Sequence, residues 1–296
     1  MFFKHCVRVI LLGLAVIVLN QPTTATQMIE IIPPPPVPGE SVQTLYTESR
    51  PAIEPVSIFD APEEKNLGVD VRLWHSDLAG QIDSRGMNLG LSADTSISAQ
   101  SSGNLSGSWQ FADNTQLQLD YFKFDHSGHT NRNVTFDNRN YAAGSTIRLR
   151  NNIFGLGLSH ILSENDEGSF KLLYGFRFSQ LNTKIEQSFA AGIRAGELDQ
   201  NIGMPYLGVE GTARLSDNAG LTGSARFFDF DKNGEANRLS DFDLAFEFGR
   251  DYQNMPASQE WYGVLGYRYF MLHDESDGNS SRVVYSGPVL GLRGKF

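Results

Sequence analysis

Charged side chains in this 296-residue chain recur at positions flanked by apolar or small residues, and that spacing limits the chemistry open to them. Asp70 and Arg72, Asp120, Lys171 and Arg177, Glu210 and Arg214, Arg226, Asp241, Asp243, Glu247 and Arg268 all occupy such positions. In an extended strand successive side chains point to opposite faces, so charges two residues apart share one face. Opposite charges that converge in a confined interior are tolerated only when paired. The chemistry expected of this set is therefore ion pairing.

Acid–base chemistry has a second group of candidates. Asp125, His126 and His129 lie close together, as do His273, Asp274 and Glu275. A histidine beside a carboxylate can act as a general base, and serines are plentiful nearby. However, Asp125 directly precedes His126 and no Asp-x-His arrangement is present, so polar, solvated loops account for these residues. His126 and His129 lack further identifiable ligands for a metal. His75 and His160 read as rim or lumen residues bonded to neighbours. The run Asp231-Lys232-Asn233-Gly234-Glu235 lacks full EF-hand spacing and reads as a hairpin turn. The expectation is no catalytic residue, no metal, no cofactor and no enzyme, with a hydrolase at a loop rim as the competing reading.

The elements that must position the charges are strands. In Phe242-Asp243-Leu244-Ala245-Phe246-Glu247-Phe248 every even position is large and apolar while odd positions are acidic or small. Phe170, Leu172, Tyr174, Phe176 and Phe178 likewise oppose Lys171 and Arg177. The same alternation runs through Leu67–Leu73, Leu105–Phe111, Leu117–Tyr121, Leu207–Leu215 and Trp261–Met271, with weaker runs at 146–161, 221–230 and 283–296. One face suits hydrocarbon and the other water. The pattern predicts an all-β fold, a transmembrane antiparallel up-and-down β-barrel of about ten strands, with eight or twelve as the neighbouring even counts. These charges would then face its lumen and fill it. Trp74, Trp109, Trp261, Tyr267 and Tyr269 would form aromatic girdles. Short turns at 112–114, 163–167, 216–219 and 251–259 alternate with longer polar stretches at 75–103, 125–144, 187–200, 231–237 and 273–281. Short turns face the periplasm in such barrels, which puts both barrel termini there. In Ile147–Leu158 the polar face becomes apolar partway along, which predicts a β-bulge near Asn151 or a strand continuing above the membrane.

The chain's first residues speak for export. Lys4 and Arg8 precede the apolar run Val9–Leu19, and the small residues up to Ala25 follow, which reads as a cleaved signal peptide over residues 1–25. Residues 26–66 are rich in proline and read as a largely disordered periplasmic tether, leaving 67–296 for the barrel. Cys6 is the only cysteine, so the mature chain has no disulfide. A net charge of −10 speaks against nucleic acid as a partner.

The last strand, Val283 to Phe296, resembles the terminal strand of outer-membrane barrels, with Leu290, Leu292 and Phe296 matching and Gly294 and Pro288 departing from the usual large apolar residue. Gly68–His75, Leu119–Phe122 and Gly266–Tyr269 are similar to OmpA-like small outer-membrane barrel proteins of undefined role. The resemblance implies a bacterial outer-membrane location, contact with membrane lipid, and recognition of Leu290, Leu292 and Phe296 by the barrel-assembly machinery. It implies no activity. A structural or interaction role with a plugged lumen is expected, a narrow solute channel being the alternative, and an extracellular partner is not identified.

Overall fold

The computed structural model describes residues 67–296 except 85, 137–138, 191, 233–234, 250–259 and 277–278. The expected signal peptide, the proline-rich segment and the turn at 251–259 lie outside the described residues, as do Asn233 and Gly234.

The alternating runs form β1 (Leu67–Ser84), β2 (Met87–Gly90), β3 (Gln100–Ala112), β4 (Thr115–His129), β5 (Val134–Phe136), β6 (Arg139–Tyr141), β7 (Thr146–Asn165), β8 (Gly168–Phe189), β9 (Gly192–Ser216), β10 (Ala219–Lys232), β11 (Glu235–Phe248), β12 (Glu260–Ser276) and β13 (Asn279–Lys295). Each long strand pairs antiparallel with its chain neighbour in the order β1-β3-β4-β7-β8-β9-β10-β11-β12-β13, and β13 returns to pair with β1. This is a closed up-and-down barrel of ten strands. The short β2 adds to the outer end of β1, and β5 and β6 make a separate hairpin. Closure is completed at the chain end, where the Leu67 N–H donates to the Phe296 carbonyl (3.1 Å) and the Phe296 N–H to that of Leu67 (2.8 Å). We call this the terminal end and the opposite one the far end.

Strand length corrects the expected loops. β1 continues to Ser84, β8 and β9 run to Phe189 and from Gly192, and β12 and β13 stay paired as far as Ser276 with Asn279. The stretches 187–200, 231–237 and 273–281, expected as long loops, are instead the far ends of long hairpins. Among the described residues, β2 with 91–99, and 130–136 with 139–145, which carry β5 and β6, depart from the ring. The outer face explains why the alternation seemed to stop. Outward residues are apolar near the terminal end, as with Val71 (49% exposed), Phe176 (53%) and Leu292 (55%). Beyond Leu73, Tyr121, Phe154 and Phe178 they become polar.

The inner face changes in the opposite sense. Inward Asp70 and Arg72 give way to Trp74, Leu78 and Ile82 along β1, and inward Arg177 gives way to Leu181 and Ile185 along β8. The same happens along β7, where Ile147, Leu149 and Ile153 point inward while Arg148 and Arg150 point out. Pairing of β7 with β4 and β8 is unbroken around Asn151, so the strand continues above the apolar band; its register shift lies at Ile161–Ser163 instead. The far half thus holds an apolar core of ordinary polarity, in which the Trp74 ring meets Phe124 edge-on at 5.2 Å and Phe124 stacks on Tyr285 at 3.9 Å. Each such large side chain removed from water stabilises the fold by about 1.5–3 kcal/mol.

Candidate functional site in the barrel lumen

The inward charges of the terminal half gather into one continuous ion-pair layer. Asp241, at 0% exposure, is its centre. Arg268 donates to it through Nε (2.9 Å) and Nη2 (2.8 Å), and Arg177 Nη2 (2.8 Å) and Arg226 Nη1 (3.2 Å) approach the same carboxylate. Arg177 also reaches Asp120 at 3.3 Å. Asp243 links onward, lying 2.7 Å from Arg72 and 3.9 Å from Arg268. Arg72 grips Asp70 through Nε and Nη2, with the shortest contact at 2.7 Å. Paired guanidinium donors on one carboxylate fix geometry as well as charge. Lys171 and Glu210 form a separate pair at 3.3 Å.

One member of the layer escaped the sequence reading. Arg293 donates to Asp70 (2.8 Å) and to Glu247 (2.6 Å), tying the last strand to β1 and β11. Leu290 and Leu292 lie on the outer face of the last strand, and the same alternation turns Arg293 inward. Arg214 departs from its expected place in the network: it stands at the terminal mouth of the lumen, where it pairs with Asp217 of the adjoining turn.

Below the layer, toward the terminal end, lies a polar vestibule of about 690 Å³, lined by residues that include Arg72, Glu210, Asp243 and Arg293, with Asn165 and Asp166 at its mouth. Above it the guanidiniums meet aromatic rings, Arg268 at 4.3 Å and Arg177 at 5.2 Å from the centre of Phe122. Arg177 is 1% exposed.

The rim candidates are not brought together. Asp125 points outward to Arg148 and Arg150, which hold its carboxyl below the usual carboxylate range. His126 points inward, fully buried, with Nε2 3.3 Å from Ser76 Oγ, and its ring lies 5.7 Å from that of Tyr285. Burial pushes its pKa down. Neighbours on opposite faces of a strand cannot form a dyad. At the far end of β12, His273 and Glu275 are 3.8 Å apart, and burial raises the pKa of the Asp274 carboxyl. His129 is exposed, His75 Nδ1 lies 3.1 Å from Ser101 Oγ, and half-buried His160 is 3.4 Å from Thr115 Oγ1. No group of three or more metal-ligating side chains exists among the described residues.

Trp109, Trp261 and Tyr267 are outward and exposed, as girdle residues must be, but Trp74 is 1% exposed inside the lumen. The phase of β1 explains this correction, because Trp74 is an even position and the outward stripe is odd. The imperfect terminal motif has a packing reason. The Trp261 and Phe296 rings meet edge-on at 5.4 Å, and a Cβ at Gly294 would come within 3.0 Å of both.

No family model and no curated protein matches the chain. Among solved structures it is similar to the outer membrane protease OmpT from Escherichia coli, at 12% identity over 79% of this chain and 98% of that one, with a TM-score of 0.48. It is also similar to the outer membrane protein OprG from Pseudomonas aeruginosa (11% identity, 79% and 96% coverage, TM-score 0.36) and to Ail, the attachment invasion locus protein of Yersinia pestis (9%, 78% and 99%, TM-score 0.32). The barrel itself is shown by the strand pairing described above.

Proposed function

We propose that the protein is an integral barrel of a bacterial outer membrane whose lumen is sealed, and that it serves as a membrane-anchored structural or interaction platform. The observation that carries this reading is the inversion of polarity along the barrel. A band of exposed apolar residues encircles the half whose interior is charged, which suits a hydrocarbon surround, while the far half is polar outside and apolar inside, which suits water. The terminal end, with its tight turns, then faces the periplasm, and the far half projects outward with 91–99 and 130–145. Leu290, Leu292 and Phe296 serve the assembly machinery.

The sealed lumen rests on the Asp241 layer and the core above it, which leave the vestibule open at one end. A narrow channel is the second reading, favoured by the vestibule itself. Purified full-length protein in planar bilayers separates the two: the sealed barrel gives no steady single-channel conductance, whereas stable, reproducible steps mean a through path. Fractionation with heat-modifiable gel migration tests the location, and a soluble, unmodifiable protein overturns it.

A further inference from the structure

Among the described residues the ring ladder stops short of the strand ends at two places, between β9 and β10, where it ends at Phe227–Leu207, and between β3 and β4, where the wall carries a groove. β3 pairs with β1 over its whole far part, Leu73 with Gly103 and Ser76 with Gln100, and β4 pairs with β7 as far as His129 with Thr146. Between β3 and β4, however, the ladder ends at Asn104–Phe122. Residues 100–103 and 123–127 face each other without backbone pairing. The gap closes again farther out, where the Ser96 N–H donates to the His129 carbonyl (2.8 Å), Thr95 bridges Thr130, and the chain at Ile97 crosses so close to Gly128 that a Cβ there would lie 2.7 Å from the Ile97 nitrogen. It is a framed window. The Gln100 side chain spans it, its amide donating to the Asp125 carbonyl and accepting from the Ser127 N–H (3.3 Å) in the orientation that satisfies both.

A groove of about 560 Å³ occupies the window. Its outer wall is Val71, Leu105 and Tyr121, the last apolar residues of the band, and it reaches inward to Ser102 and Asn104. Gly103 leaves it unobstructed, since a Cβ there would meet nothing within 4 Å. Exposed Lys123 stands at its upper rim with no ion pair among the described residues, while the charge of Asp125 beside it is taken by Arg148 and Arg150. Open backbone is not tolerated in hydrocarbon, so a break placed just where the outer face turns polar belongs at head-group depth.

We propose that this window is a lateral binding site for one bilayer lipid with a net-anionic phosphate head group, its head at Lys123 and the broken ladder and its chain along Val71, Leu105 and Tyr121. The proposal rests on the membrane-embedded reading above. Continuity of the groove with the apolar band supplies the chain contact, and an unpaired cation beside unladdered backbone supplies the anion contact.

The test is native mass spectrometry of the full chain in non-ionic detergent, titrated with phosphatidylglycerol or with phosphatidylcholine of identical chains. Expected is one phosphatidylglycerol retained in preference to phosphatidylcholine. Lys123→Glu should weaken this by about tenfold, the worth of one charge-assisted contact. Gly103→Trp should abolish it, while Gly107→Trp, on the same outer face within the closed ladder, should not. Each variant is checked for heat-modifiable migration, and Gly103→Leu replaces Gly103→Trp if the latter does not fold. Equal retention of the two lipids, or undiminished retention when the groove is filled in a folded variant, overturns the site. Wild-type protein that is soluble and unmodifiable by heat fails the membrane reading itself, a separately visible outcome.

Discussion

The two halves of the lumen are built from the same strands with opposite polarity. On β8, Arg177 faces inward between outward Phe176 and Phe178, whereas a few residues on Leu181 and Ile185 face inward between outward Gln180, Asn182 and Lys184. The terminal half stores charge inside and shows hydrocarbon-compatible side chains outside. The far half is organised like a soluble β-protein. The difference teaches that the medium outside the wall, and not the period-two alternation, decides which face carries the apolar residues. Its consequence is two distinct kinds of stability in one sheet: hydrogen-bonded ion pairing below, shape-matched packing above.

The largest effect should come from the charged half. Asp241→Asn leaves Arg177, Arg226 and Arg268 without their shared counter-ion. Uncompensated buried charge costs about 3–5 kcal/mol. Urea unfolding of vesicle-inserted protein should show that loss or a failure to insert, and a shift within measurement error would mean that the layer is not what holds this half.

Leu149→Ala probes the apolar half. Leu149 is 0% exposed, and removing its side chain should cost about 2–5 kcal/mol through lost burial and a cavity. The ion-pair layer should be untouched, so the variant should still give no steady conductance, and steady steps would show that the apolar core alone seals the lumen.

The boundary between the halves is located by moving one cation along a single outer stripe. Phe176→Arg places it in the apolar band and should destabilise the inserted barrel by about 2–4 kcal/mol, while Gln180→Arg, past the boundary, should change stability by less than about 0.5 kcal/mol. Equal effects would remove the case for a bilayer surface around the terminal half.

The smallest effect is a pH dependence confined to the far half. The His126 pKa is lowered by burial. A depressed pKa means that the unfolded chain takes up the proton first. The stability is therefore fully present above the ordinary histidine pKa of about 6.5 and is lost as pH falls from there toward the folded value. His126→Phe should abolish this slope between mildly acidic and neutral pH. A slope unchanged in that variant would assign it elsewhere.

The sequence by itself determined the barrel. Strict alternation at Phe242–Phe248 and Phe170–Phe178 dictates strands with two unlike faces, and it also gives the inward direction of Asp70, Arg72, Asp120, Asp243 and Arg268, because side-chain direction in a strand is a local property. Arg293 is equally legible by phase, although it sits between Leu292 and Phe296 of the terminal motif. The far half was harder to read. Once outward positions turn polar, stretches such as 187–200 look like loops, although their inward positions hold Leu198 at 4% exposure. Only tertiary structure decided how far the strands run, that Trp74 belongs to a core, that Asp241 is shared by three arginines, and that the β3–β4 ladder breaks. These depend on which residues of distant strands meet across the lumen and on where pairing stops, and neither is encoded within a single strand's alternation.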